Sequence, residues 1–333
     1  MADPAEVAQA AAATSPGSRA PGVYEDVLAG IGNTPLVGIQ SLSPNPSVRL
    51  FAKLEGANPT GSVKDRIAVA LVDDLEARGL LGPGKVLLES SSGNTAIALA
   101  LVALRRHYPL TVVMADNVSP ERRTLVRAFG ARIVDSPGSL GSNGAIQKAR
   151  EMARQDSRYA LADQYGNEVN SRAHEVSTGP EILAQCPDVD VFVAGLGTSG
   201  TLMGVARYLR REKPGVKIIA AEPLPGAGVQ GLRSLEDGFV PEIFDPDLLD
   251  RKLLISNREA VLGVRALLAR EGIFAGLSSG AILVAARRVA RDMEGATVVA
   301  LLPDGGWKYL SAGIFSANID IVEEELESQV TAW

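Results

Sequence analysis

Cysteine and histidine are nearly missing from this chain of 333 residues, which holds only Cys186, His107 and His174. One cysteine excludes an intrachain disulfide and a cysteine-rich metal site, and two histidines leave little for a zinc centre. Nothing therefore demands an oxidising compartment. Positive charge is also short: 33 Lys and Arg against 39 Asp and Glu leave a net charge of −6, with no basic excess to neutralise nucleic-acid or lipid phosphates. The longest apolar runs, such as Ala96–Leu104, are too short to span a bilayer and read as core helices. Residues 1–21, rich in Ala, Pro, Ser and Gly, lack the basic start and apolar stretch of a secretory signal and are expected to be a disordered tail. A cytoplasmic protein is expected, whose partner is a small molecule, with no nucleic acid, no membrane and no metal.

What the chain does have is the balance of a globular protein, 46% hydrophobic and 22% charged residues, at a length suited to two domains with a cleft between them. Short β-branched runs alternate with segments of helical period, the pattern of parallel strands joined by crossover helices. Strands are expected at Val48–Leu54, Lys85–Glu89, Leu110–Met114, Ala131–Val134, Val189–Ala194, Lys217–Glu222 and Thr297–Leu302. Helices are expected at Ser62–Arg78, Asn94–Arg105, Ser119–Phe129, Asn143–Gln155, Gly200–Arg211, Arg258–Glu271 and Ser279–Met293. Ser119-Pro120 supplies an N-cap and a first-turn proline, and Gly130 stops the same helix. The fold class is α/β.

In such sheets ligands sit beyond the carboxyl ends of strands. After Glu89 comes Ser90-Ser91-Ser92-Gly93-Asn94-Thr95, a small-residue loop opening a helix. Its hydroxyls and N–H groups suit an anion such as a carboxylate, and they equally suit plain N-capping. After Ala194 comes Gly195-Leu196-Gly197-Thr198-Ser199-Gly200-Thr201, whose glycines admit a phosphate. The spacing is not that of a nucleoside-triphosphate loop, but it matches G-x-G-x-x-G, and Glu222 ends the next strand where a ribose-binding acid would stand. A dinucleotide and a phosphorylated cofactor both remain open on these residues. Lys64, after Pro59-Thr60-Gly61, lies in the first turn of a helix, where the dipole disfavours a cation. In a closed pocket such a lysine can lose its proton and form a Schiff base with an aldehyde.

The order of motifs along the chain adds a resemblance. Gly32-Asn33-Thr34-Pro35-Leu36, Asn58-Pro59-Thr60-Gly61-Ser62-Val63-Lys64-Asp65-Arg66, Ser91-Ser92-Gly93-Asn94-Thr95, Ser177-Thr178-Gly179-Pro180-Glu181, the Gly195–Thr201 loop and Gly276-Leu277-Ser278-Ser279-Gly280 run as they do in the cysteine synthases. The sequence resembles that family of fold-type II enzymes dependent on pyridoxal 5'-phosphate (PLP), over roughly residues 23–316. The resemblance implies two three-layer α/β domains with mostly parallel sheets: a large one from 22–58 plus 166–320, a smaller mobile one from 59–165, and a C-terminal tail from 321. It also implies a homodimer.

Carried over by position, the resemblance makes Lys64 the residue that holds PLP and moves protons, Asn94 the contact to its phenolic oxygen, and Gly197, Thr198, Ser199, Gly200 and Thr201 its phosphate cradle. Ser278 would bond the pyridine nitrogen. A hydroxyl there does not enforce ring protonation, which favours β-elimination over transamination. Ser91, Ser92, Asn94 and Thr95 would hold the substrate carboxylate, helped by Gln164 from across the cleft. The implied reaction is β-replacement on an activated L-serine through an α-aminoacrylate to give L-cysteine. Cystathionine synthesis, simple β-elimination and a non-catalytic PLP-binding regulatory scaffold are the competing readings.

Three departures from the commonest family pattern matter. Ser91 stands for a threonine and Ala96 for a glycine, and Leu232-Arg233-Ser234-Leu235-Glu236-Asp237 stands where many acetylserine-using members have glycines. Arg233, the run Gly306–Ser311 and the terminal Trp333 look most like the actinobacterial branch that uses O-phospho-L-serine. A guanidinium matches a dianionic phosphate; a surface charge near Glu236 or Asp237 is the plainer reading. That branch can also take sulfur from a thiocarboxylated carrier protein. His174 is expected to be packed or at the surface, Cys186 to be an incidental thiol, and Glu323–Glu325 to be a solvated helix face.

Overall fold

The structure is a computed structural model that describes residues 23–91, 93–237 and 240–328. The expected N-terminal tail, Ser92 and Trp333 lie outside the described residues. Among the described residues ten strands form: β1 (Leu36–Gly38), β2 (Arg49–Leu54), β3 (Val86–Ser90), β4 (Leu110–Ala115), β5 (Arg132–Ser136), β6 (Tyr159–Leu161), β7 (Val191–Gly195), β8 (Lys217–Pro223), β9 (Arg251–Ile255) and β10 (Thr297–Leu302). The α-helices among the described residues are α1 (Lys64–Ala77), α2 (Asn94–Arg105), α3 (Pro120–Ala128), α4 (Gly141–Gln155), α5 (Val169–Val176), α6 (Thr178–Gln185), α7 (Gly200–Glu212), α8 (Asn257–Glu271), α9 (Leu277–Arg291) and α10 (Ile319–Ser328).

The strands make a six-stranded sheet, order β1-β2-β10-β7-β8-β9, and a four-stranded sheet, order β5-β4-β3-β6. Only β1 runs antiparallel to its neighbour; every other pairing is parallel. Parallel strands covered by helices on both faces must be apolar along their whole length. Leu110–Ala115 and Thr297–Leu302 are buried at every position. The strands that escaped the sequence reading, β1, β6 and β9, are short or at sheet edges, where one neighbour and partial burial leave a weak hydrophobic signal.

Local signals are kept with two changes. Pro120 starts α3 and Gly130, at φ +87°, ends it, but the Ser119 side chain makes no cap hydrogen bond, so the proline alone sets the start. The expected tail boundary at 321 falls inside α10, whose Val322 and Leu326, four residues apart on one face, are buried in the core of the large sheet. Glu323 and Glu325 lie beside this buried face; Glu323 pairs with Arg258.

One buried charge cluster ties the two sheets together. Arg66 in the first turn of α1 donates to Glu55 (2.7 Å) and Glu181 (2.7 Å), and Lys53 on β2 donates to the other Glu181 oxygen (2.7 Å). Two cations face two anions, all of them buried. Burial alone would raise the Glu181 carboxyl, yet Arg66 and Lys53 hold it at about 2. The Thr34 hydroxyl and the Asn33 N–H add further donors to Glu55 and Glu181. Replacing Arg66 by Met would leave Glu55 and Glu181 buried without their main partner, and should cost about 3–5 kcal/mol of stability. A urea midpoint equal to wild type would show that the cluster does not brace the helix carrying Lys64.

Candidate active site

Strand ends β3, β7 and β10 open onto a cavity of about 360 Å³, within the usual range for small-molecule sites. Lys64, Ser91, Asn94, Thr95, Gln164, Gly197, Thr198, Ser199, Thr201, Arg233 and Ser278 all line it. Of the other two expected residues, Ser92 is not described and Gly200 lies behind the lining, against Asn170.

Lys64 is the first residue of α1, half-buried at the cavity. Burial pulls its amine down to about 8, against the opposing pull of Asp304. A free amine is therefore within reach near neutral pH. Asn94, first residue of α2, donates to Asp304 (2.8 Å) and accepts from the Lys308 amine (2.7 Å). Tyr309 donates to the same Asp304 oxygen (2.8 Å), and Arg122 stacks on the Tyr309 ring at 5.2 Å. Sequence reasoning missed Asp304 and took Lys308 and Tyr309 only as part of the Gly306–Ser311 run, without a site role. Its signal was there: Asp304 follows β10 at the carboxyl end, where such sheets place their ligand groups.

The Ser91 hydroxyl accepts from the N–H groups of Gly93 (3.3 Å) and Ala96 (3.2 Å), so it caps α2. Thr95 donates to Gln164 (2.6 Å), whose amide donates to the Ser90 carbonyl (3.2 Å) and whose backbone N–H reaches Glu89 (3.2 Å). Gln164 was expected across the cleft; it lies instead against the loop itself, because Glu89 and Ser90 on β3 supply its partners. Burial pushes the Glu89 carboxyl up to about 8.

On the facing sheet, Ser199 takes a left-handed conformation, φ +71°, and turns the chain into α7. Its hydroxyl is buried with no hydrogen-bond partner among the described residues. Thr201 bonds His174 Nε2 (3.1 Å), and His174 Nδ1 bonds Thr178 (2.8 Å). Burial, then the charges of Arg66 and Lys64, push His174 well below its ordinary pKa, so the neutral ring orients Thr201. His174 is thus packed, as expected, but next to the cradle. A side chain at Gly197 would meet the Gly231 carbonyl at 2.7 Å, and one at Gly200 would overlap Asn170. Ser278 is buried in the first turn of α9. Glu222 is no ribose acid: it accepts from the Leu235 N–H (2.8 Å) and pairs with Lys252. Cys186 is buried, its thiol pushed up by that burial.

A lysine able to shed its proton, an orphaned hydroxyl at a helix N-terminus and a buried serine around one cavity fit PLP, whose phosphate Ser199 and the α7 N–H groups could hold. The sequence matches the family model of pyridoxal-phosphate-dependent enzymes over residues 27–304. It is 43% identical over 286 residues to cysteine synthase B of Salmonella typhimurium, covering 86% of this chain and 94% of that protein. Cysteine synthase B of Pseudomonas aeruginosa is 40% identical over 293 residues, covering 88% and 98%. The crystal structure of cysteine synthase from Entamoeba histolytica superposes with a TM-score of 0.84 at 34% identity, covering 94% of this chain and 98% of that one. That of O-ureido-L-serine synthase gives 0.83 at 39% identity, covering 90% and 99%. The chain belongs to the pyridoxal-phosphate-dependent enzymes and, within them, to the cysteine synthase family; PLP is its cofactor.

Capture of PLP by the apoprotein should accelerate about tenfold per pH unit as the Lys64 amine deprotonates, levelling off above about 8. Stopped-flow absorbance measures it, and a rate independent of pH would contradict the depressed amine. Lys64→Ala should leave no borohydride-reducible yellow chromophore.

Proposed function

We propose that the enzyme makes L-cysteine by β-replacement on O-phospho-L-serine, with O-acetyl-L-serine as the poorer substrate. The observation that carries this reading is Arg233 on the wall of the cavity that holds Lys64. Its guanidinium is held by Asn143 Oδ1 (3.1 Å) and the Ser142 hydroxyl, and its backbone N–H by the Leu196 carbonyl (2.8 Å), which argues against a loose surface charge.

When bound, PLP supplies an electron sink for the carbanion left at the substrate's α-carbon. The chain supplies the rest. Ser91, Ser92 and the backbone N–H groups of Asn94 and Thr95 receive the carboxylate, while Gln164 accepts from the Thr95 hydroxyl and fixes the loop. The Lys64 amine, neutral in part near pH 7, takes the α-proton as general base. Cβ–O then breaks and the leaving phosphate departs toward Arg233, whose charge offsets its own. A sulfur nucleophile forms the Cβ–S bond, and the Lys64 ammonium returns its proton to the α-carbon. Asn94, held by Asp304 and Lys308, would offer its amide to the cofactor's phenolic oxygen, and Ser278 would serve the pyridine nitrogen. Residues 59–165 act as a smaller mobile domain whose closure brings the Ser91–Thr95 loop onto the carboxylate. The sulfur donor is sulfide or a thiocarboxylated carrier protein, and the working form is a cytoplasmic homodimer.

Arg233→Ala should lower kcat/KM for O-phospho-L-serine by roughly 10–150-fold, the worth of about 1.5–3 kcal/mol for hydrogen bonds to a charged group. Acetylserine should lose only a few-fold. Phosphate release and cysteine formation followed in parallel measure both, and equal losses with the two substrates would defeat the phosphoserine reading. Cysteine from sulfide, but no cystathionine from homocysteine, separates this reading from its nearest rival.

A further inference from the structure

Arg233 lies in the loop between β8 and β9 of the six-stranded sheet, yet its guanidinium reaches α4, a helix of the four-stranded sheet. Nη1 donates to Asn143 Oδ1 (3.1 Å) and Nη2 to the Ser142 hydroxyl, both in the first turn of α4, and the guanidinium lies over the Tyr165 ring at 5.4 Å. Ser142, Asn143, Tyr165 and Arg233 all line the Lys64 cavity. At its root the arginine is fixed twice: its own N–H is held by Leu196, and the Leu235 N–H two residues on is held by Glu222.

We infer that Ser142, Asn143 and Tyr165 complete the leaving-group pocket from the four-stranded sheet, and that they set the enzyme's choice between a phosphate and an acetyl leaving group. The inference rests on the phosphoserine reading of Arg233. The Ser142 and Asn143 oxygens are neutral acceptors. They orient the guanidinium without cancelling its charge, as a carboxylate in the same place would. The Tyr165 ring under the guanidinium restricts its position in the cavity wall. The Ser142 hydroxyl and the Asn143 amide carry donors of their own, at the positive end of a helix 15 residues long. A dianionic phosphate gains from each of these features, and a neutral acetyl ester from none of them. Substrates that share a carboxylate and an amine but differ in leaving group should therefore feel these three residues differently.

The test is the ratio of kcat/KM for O-phospho-L-serine to that for O-acetyl-L-serine, measured on the holoenzyme with sulfide. Asn143→Asp, nearly isosteric, places a carboxylate against the guanidinium and should lower the ratio about tenfold or more. Tyr165→Leu and Ser142→Ala should lower it less, through loss of orientation alone, with the cofactor absorbance spectrum of each variant matching wild type. Should Asn143→Asp fail to fold, Ser142→Ala, which removes one hydroxyl, carries the same comparison. A ratio within about twofold of wild type in these variants, while Arg233→Ala still lowers it, overturns the inference and leaves the phosphoserine reading standing. A ratio unmoved by Arg233→Ala overturns both.

Discussion

Everything at the site hangs from the four buried charges of Lys53, Glu55, Arg66 and Glu181. Lys53 sits on a strand of the six-stranded sheet, Arg66 two residues after Lys64, and Glu181 in the first turn of α6, the helix that begins at Thr178. A buried charge is tolerable only with its partners in place, so these elements keep one relative geometry. The first turn of α1 can then point Lys64 at the cavity although the helix dipole and desolvation both oppose a cation there. That opposition is what makes the lysine useful, since it favours the neutral amine.

Around Lys64 each polar group is held by a second one. Asn94 is gripped between Asp304 and Lys308, Thr95 by Gln164, and Thr201 by His174, which Thr178 orients in turn. Side chains so held lose little freedom when a ligand arrives, and their donors and acceptors point where the packing sends them. The Ser199 hydroxyl is different: among the described residues it is buried without a partner at the start of a helix. An unsatisfied buried hydroxyl is costly, and a phosphate resolves it.

Most of the fold was legible because parallel strands and amphipathic helices carry strong periodic patterns, and seven strands were found that way. The rest lacked such a pattern. Three-residue β1 and β6 are too short for a period, and β9 begins with Arg251 and Lys252 at an edge. Gln164 was placed on the wrong side of the cleft because spacing does not show which strand end a loop residue will meet. Glu222 looked like a ribose acid until Leu235 and Lys252 were seen to occupy it. Asp304, Lys308 and Tyr309 stood in a segment with no periodicity, and their roles come only from the reach of Asp304 and Lys308 to Asn94 and of Tyr309 to Asp304.

By itself the sequence determined the α/β class, the loops that open onto the site, and the lysine in a helix's first turn, since these depend on residue type and on spacing along one stretch of chain. The tertiary structure alone decided which of those loops share a cavity, how far burial depresses the Lys64 amine, and that Arg233 crosses to Ser142, Asn143 and Tyr165. Desolvation and hydrogen-bond reach depend on groups far apart in sequence, 91 residues for Arg233 with Ser142 and 214 for Asn94 with Lys308, and only folding brings those into contact.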